Sequence, residues 1–225
     1  MGEAELQPAN NLLFIHAVIN IYGDAANEGL ALQIATDIEK FWNDAKGKVA
    51  IRDGWFSKRI YQVRFNMIGK YDAELTPQTV FENTNPRNNY FRVEEYAHGD
   101  ISFVDEINSN TGYFKLQNIL DNSTTAAHEF GHTLGLLHPH NLDIRGEGTP
   151  GIMYPRGTLV DPHFQYYPEV AAGEKGGTLN PFTRKVLQQD IEDLHLEDLD
   201  FNENGIAIIG GFSSVWHEKH LPETD

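Results

Sequence analysis

A chain of 225 residues is long enough for one sizeable domain or two lobes sharing a cleft. Its 40% hydrophobic content is that of a globular protein, and a formal charge of −16 leaves no basic footprint for nucleic acid. With no cysteine there is no disulfide, no thiolate metal ligand and no cysteine nucleophile.

The opening MGEAELQPANN is acidic and lacks the basic-then-apolar order of a signal peptide. It fits a protein used where it is made, or a mature exported form given a start codon. Leu12–Tyr22 is apolar and partly β-branched, ends at Gly23–Asp24 and reads as a buried strand. It is the longest apolar run, and it falls short of a membrane span. Glu28–Ala45 carries Leu30, Ile34, Ile38, Phe41 and Trp42 at helical spacing, and Gly47 follows its end. Lys48–Arg52 and Ile60–Ile68 read as strands, the second alternating through Tyr61, Val63, Phe65 and Met67. Phe91–Tyr96, Ile101–Val104 and Tyr113–Gln117 are shorter strand candidates. The last is our candidate for the edge that pairs with an extended ligand.

AAHEFGHTLGLLHPH, Ala126–His140, comes next, and Asp121, Asn122 or Ser123 could cap its first turn. Asn141–Asn180 is rich in Gly, Pro and Tyr and predicts irregular structure. Pro181–Leu196 regains helical spacing through Phe182, Val186, Leu187, Ile191 and Leu194, and GIAIIGGF predicts a last strand.

On a helix, residues four apart share a face, so His128 and His132 present their imidazoles to one point. Neutral imidazoles suit Zn²⁺, and Glu129, beside the first histidine, can act as a base on a water at the metal. H-E-x-x-H alone is a short pattern with false positives. His138, six residues after His132, cannot lie on the same face. The helix has to end and the chain has to turn back, which Gly135 permits at little cost.

HEFGHTLGLLH resembles the long zinc-binding motif of the metzincin metallopeptidases. Gly151–Ile152–Met153–Tyr154–Pro155 resembles their Met-turn, which would make Met153 the apolar floor beneath the three histidines. The resemblance implies an α+β catalytic domain. It would have a twisted mixed sheet, a backing helix and an active-site helix over a loop-rich lower lobe with a C-terminal helix. It implies one domain over 1–225, upper part 10–138 and lower part 139–225. Met153–Tyr154–Pro155 is similar to the matrixin form, which would put Tyr154 and Pro155 in the wall of a primed-side pocket. Pro139 after the third histidine is instead similar to serralysins. Pro155 stands where astacins and serralysins carry a tyrosine ligand. The implied activity is zinc-dependent cleavage of protein or peptide substrates, with His128, His132 and His138 as ligands and Glu129 as base. We expect a secreted or extracellular mature form, delivered by a dedicated secretion system where no signal peptide serves, with an inhibitor or immunity protein as a further partner. A delivered toxin protease, or a zinc-containing binding module without turnover, remain the alternatives.

Other motifs have two readings each. His98–Gly99–Asp100 resembles the start of the matrixin structural-zinc loop, or is a turn before a strand. Asp200–Gly205 matches half of a Ca²⁺ loop, or is an Asn-Gly turn into the last strand. His217–Glu218–Lys219–His220 is expected to be solvated tail.

Overall fold

The computed structural model describes residues 1–52 and 57–222. Strand β1 (Gly2–Gln7), which the sequence did not announce, pairs antiparallel with the first half of β2 (Leu12–Tyr22). Helix α1 (Glu28–Asp44) follows, with the Asn27 side chain accepting from Leu30 N at 2.9 Å as its N-cap. Strands β3 (Lys48–Arg52) and β4 (Lys58–Tyr71) pair antiparallel, and β4 lies parallel to β2. The expected alternation in β4 is seen: Tyr61, Val63, Phe65 and Met67 are all buried.

A short helix α2 (Pro77–Phe81) leads to β5 (Asn88–Glu94), which runs parallel to the second half of β2. Strands β6 (Phe103–Val104) and β7 (Thr111–Lys115) come next. The main sheet order is β3-β4-β2-β5-β7-β6. The expected edge strand is thereby corrected: β7 is flanked on both sides, and the edge is the two-residue β6. Beyond Lys115 the chain turns into α3 (Leu116–Ile119), so Tyr113–Gln117 is only partly strand.

Helix α4 (Thr125–Thr133) packs against α1. Trp42 Nε1 donates to the Ala127 carbonyl at 3.1 Å, and the Trp42, Phe65 and Phe130 rings meet between α1, β4 and α4. Ile34 and Ile38 are buried beneath them, each worth about 1.5–3 kcal/mol of apolar transfer. None of the expected residues caps α4 through its side chain in the usual way. Thr124 is the N-cap residue without a side-chain bond, while Asp121 and Asn122 take left-handed φ of 59° and 60° in the preceding turn. Ser123 Oγ accepts from Thr125 N at 3.2 Å.

Residues 141–180 carry only isolated bridges and one 3₁₀ turn. The expected long last helix is broken up. It consists of a 3₁₀ turn, Pro181–Thr183, then α5 (Gln188–Glu192), then a second 3₁₀ turn, Leu196–Asp198. Between the first two pieces Arg184 is extended (φ −65°, ψ 152°), its side chain drawn inward. Strand β8 (Ile206–Ile209) pairs with β1, so the sheet has eight strands and an α+β architecture. Asn202 Oδ1 accepts from Asn204 N and Ile206 N at 2.9 and 3.0 Å, closing the turn before β8.

The tail is packed, not solvated. Trp216 stacks on Tyr22, with ring centroids 4.5 Å apart, and His220 stacks on Tyr113 at 4.1 Å. His217 Nε2 lies 2.7 Å from Asp105 Oδ1, off the direction of a hydrogen bond. Among the described residues no helix is long and apolar enough to cross a membrane.

Candidate metal centre and cleft

Helix α4 carries His128, Glu129 and His132, and its end brings in His138. The Leu136 N–H bonds to the Gly131 carbonyl at 3.0 Å and the Gly135 N–H to the His132 carbonyl at 3.1 Å, the paired bonds of a Schellman motif. Gly135 has φ of +106°, and a Cβ there would lie 2.6 Å from Asn108 Oδ1, so this turn requires glycine twice over.

The three imidazoles converge. His138 Nε2 is 3.0 Å from His128 Nε2 and 3.1 Å from His132 Nε2. Nδ1 of His132 faces the Leu136 carbonyl at 2.7 Å, and Nδ1 of His128 faces the Ile152 carbonyl at 2.7 Å. Carbonyls only accept, so both Nδ1 atoms carry the proton and both Nε2 lone pairs point at the common centre. Arg184 Nη1 also lies 2.9 Å from His128 Nδ1, but it cannot donate to a nitrogen that is itself a donor. Its hydrogen goes to the Tyr154 carbonyl at 3.0 Å.

His138 could donate one proton to one neighbour at most, whereas a cation satisfies three lone pairs together. Zn–N bonds of about 2.0–2.1 Å place tetrahedral ligand nitrogens a little over 3 Å apart, close to what is observed. This group of three can hold a metal ion, and no fourth His, Asp or Glu joins it among the described residues. That leaves a position open to solvent or ligand. The other convergent group, His195, Glu197 and Asp198, is fully exposed. His98 packs against Tyr96 and His220, and Asp100 pairs with Lys115 at 2.6 Å.

Burial, then the charge of Arg184, pushes the His128 imidazole well below its ordinary range; burial takes His132 down to about 4 and also lowers His138. These shifts belong to the metal-free protein. Between pH 6.5 and 4 these three imidazoles bind more protons in the unfolded chain than in the folded one, a loss of stability on acidification that the raised carboxyls of Glu129 and Asp190 oppose. For His132 the effect is on the order of 3 kcal/mol. As pH falls across that range, the urea midpoint of His132→Gln measured in chelator should rise relative to that of the wild type. Equal slopes of midpoint against pH for the two proteins would count against it.

Glu129 is buried beside the histidines. Burial pushes its carboxyl up to about 8, against the pull of Arg184, the Val104 N–H and Arg156. Such a group holds a proton readily near neutrality, which is what a general base needs.

Met153 lies beneath α4. A Cβ on Gly131 would sit 2.5 Å from Met153 Sδ and 3.4 Å from Trp42 Cζ2, so the sulfur packs directly on the helix. Gly131→Ala gains about 1 kcal/mol of helix propensity but overpacks a closed site by about 1–3 kcal/mol. We expect a net loss of stability, seen as a lower melting temperature, together with weaker metal retention. A melting temperature at or above wild type would contradict this packing. The loop holding Met153 is fixed from α5, since Asp190 accepts from Leu187 N at 2.7 Å and from the Ile152 and Met153 N–H groups.

The histidines and Glu129 open onto a cleft of about 730 Å³ along α4. Its rim includes the exposed Ile101, Ile107 and Leu137, and His140 lines it as well. Pro155 lines the cleft. Tyr154 does not, because its ring packs with Ile144, Val160 and Leu179 and borders a separate cavity of about 300 Å³. Arg156 and Arg184 also line the cleft. Sequence reasoning passed over both arginines and Asp190, which no local motif marks.

No protein-family model and no curated protein matches this sequence. Among solved structures, the chain is similar to the one described as "Structure of myroilysin". The identity is 11%, the match covers 87% of this chain and 100% of that chain, and the TM-score is 0.38. The overlap is loose, and the functional reading rests on the side chains of the site.

Proposed function

We propose that the protein is a zinc-dependent endopeptidase of the metzincin type, acting outside the cell on polypeptides. One observation carries the reading. Three imidazole Nε2 atoms converge on the wall of an open cleft, with a buried carboxyl on the residue after the first histidine.

Bound zinc would supply Lewis acidity to a water and to the scissile carbonyl. His128, His132 and His138 would hold the ion, two of them with tautomers fixed from behind by main-chain carbonyls. Glu129 takes the proton from the attacking water and delivers it to the amine as the C–N bond breaks. The extended substrate lies along β6, whose outer side meets no strand among the described residues. Met153 keeps the histidines from sinking away from the cleft.

The test is digestion of a peptide library with and without a zinc chelator, read by mass spectrometry. Cleavage that chelator stops and added zinc restores is the expected result. No cleavage of any peptide by zinc-loaded protein would sink the reading.

A further inference from the structure

We propose that the end of the cleft beside the first turn of α4 binds a carboxylate of the substrate through Arg156 and Arg184. This rests on the peptidase reading for its biological meaning, though the site stands on observations of its own. Arg184 is 4% exposed. Its Nε donates to Thr124 Oγ1 at 3.0 Å and its Nη1 to the Tyr154 carbonyl at 3.0 Å, and among the described residues nothing accepts from its Nη2. Arg156 is exposed and donates from Nη2 to Asn118 Oδ1 at 3.2 Å. All of these acceptors are neutral.

Among the described residues neither arginine has a carboxylate at ion-pair distance, although the chain has 33 acidic residues and Arg87, Arg92 and Arg145 each have one. A buried guanidinium bonded only to neutral acceptors, with Glu129 acting on it from beyond ion-pair distance, has donors free for a charged partner, and a planar carboxylate is the ligand its fork fits. Glu129, in the same wall, is the base and forms no ion pair with either.

The cleft is polarised along α4. Thr125 and Asn118 line it beside the arginines. Asp105 and Glu106 line the other end, where the Asn108 N–H bonds to the His132 carbonyl at 2.9 Å. Thr125 and His132 are separated by about 10 Å of helix rise. Asp105 is engaged by His217 and Thr111, so it does not neutralise the arginines. A peptide stretched along the helix therefore meets positive charge at one end only.

The carboxylate can be an acidic side chain or a free C-terminus, and two libraries separate them. In an acetylated, amidated library cut by zinc-loaded protein, Asp and Glu should be enriched about 10- to 100-fold at one position near the scissile bond. Enrichment should vanish in Arg156→Glu, a surface change that spares the fold. Cleavage confined to peptides with a free carboxyl end would identify the terminal carboxylate instead, and supports the site equally. Binding is read without cleavage by titrating Glu129→Gln protein with amidated alanine pentapeptides differing only in a central Asp or Asn. The Asp peptide should bind at least about tenfold tighter, and Arg156→Glu should erase the difference. Cleavage with no acidic or terminal preference overturns the carboxylate site and leaves the peptidase reading intact. Asp-selective binding without cleavage of any peptide does the reverse. Equal binding of the two peptides, with no gain when the Asn peptide is given a free carboxyl end, overturns the proposal.

Discussion

Glu129→Gln should lower peptide cleavage by at least about 100-fold while leaving metal content unchanged, since loss of a general base costs roughly 10²–10⁴-fold. The carboxyl lies outside the group of three imidazoles, so its replacement removes no ligand. Glutamine has nearly the same shape and keeps an oxygen for the Val104 N–H. The carboxyl also has a price in stability that the amide lacks. Its folded pKa of about 8 lies above the ordinary 4.5, so this group by itself costs the wild type stability as pH rises from 4.5 to 8. At neutral pH this is on the order of 3 kcal/mol in the metal-free protein. The variant should therefore be inactive and more resistant to unfolding. A variant that cleaves at the wild-type rate removes Glu129 from the chemistry. One that is inactive and also unfolded says that the residue holds the fold.

His138→Ala should weaken metal binding by more than about 100-fold, because loss of a mere outer partner of a metal ligand already costs 10–100-fold. His128 and His132 stay paired on α4, but two imidazoles leave the ion half-held. His138 is the most exposed of the three and is carried by the chain after the Schellman turn, so its removal should cost little stability. Metal analysis after dialysis provides the measurement. His140→Ala is the matched control: it lines the same cleft, its nitrogens stand outside the cluster, and metal should be retained. Full occupancy at wild-type affinity in His138→Ala would place the third ligand elsewhere.

Much of the centre could be read from Ala126–His140 because its geometry is local. Helical spacing aligned His128 and His132, and one glycine with positive φ returned His138 to them. The cleft wall was not legible in this way. Arg184 meets His128 from 56 residues away, and its placement depends on a chain made extended where apolar spacing suggested helix. Phe182, part of that spacing, is 54% exposed, so the period arose from a turn and a short helix in succession. Strand β6 lies within the expected Ile101–Val104, but its place at the sheet edge was not legible, since strand order is settled only by the pairing. Strand β1 was missed because GEAELQ is charged, and its pairing with β2 and β8 is settled only by the sheet.

The histidine tautomers are set by the carbonyls of Ile152 and Leu136, and a carbonyl belongs to every residue type. No single side-chain replacement can delete either acceptor. Directed evolution of this scaffold could therefore vary Ile152 and Leu136 for size without redirecting the lone pairs that face the ion. The coordination chemistry is insulated from mutation at the two positions that support it.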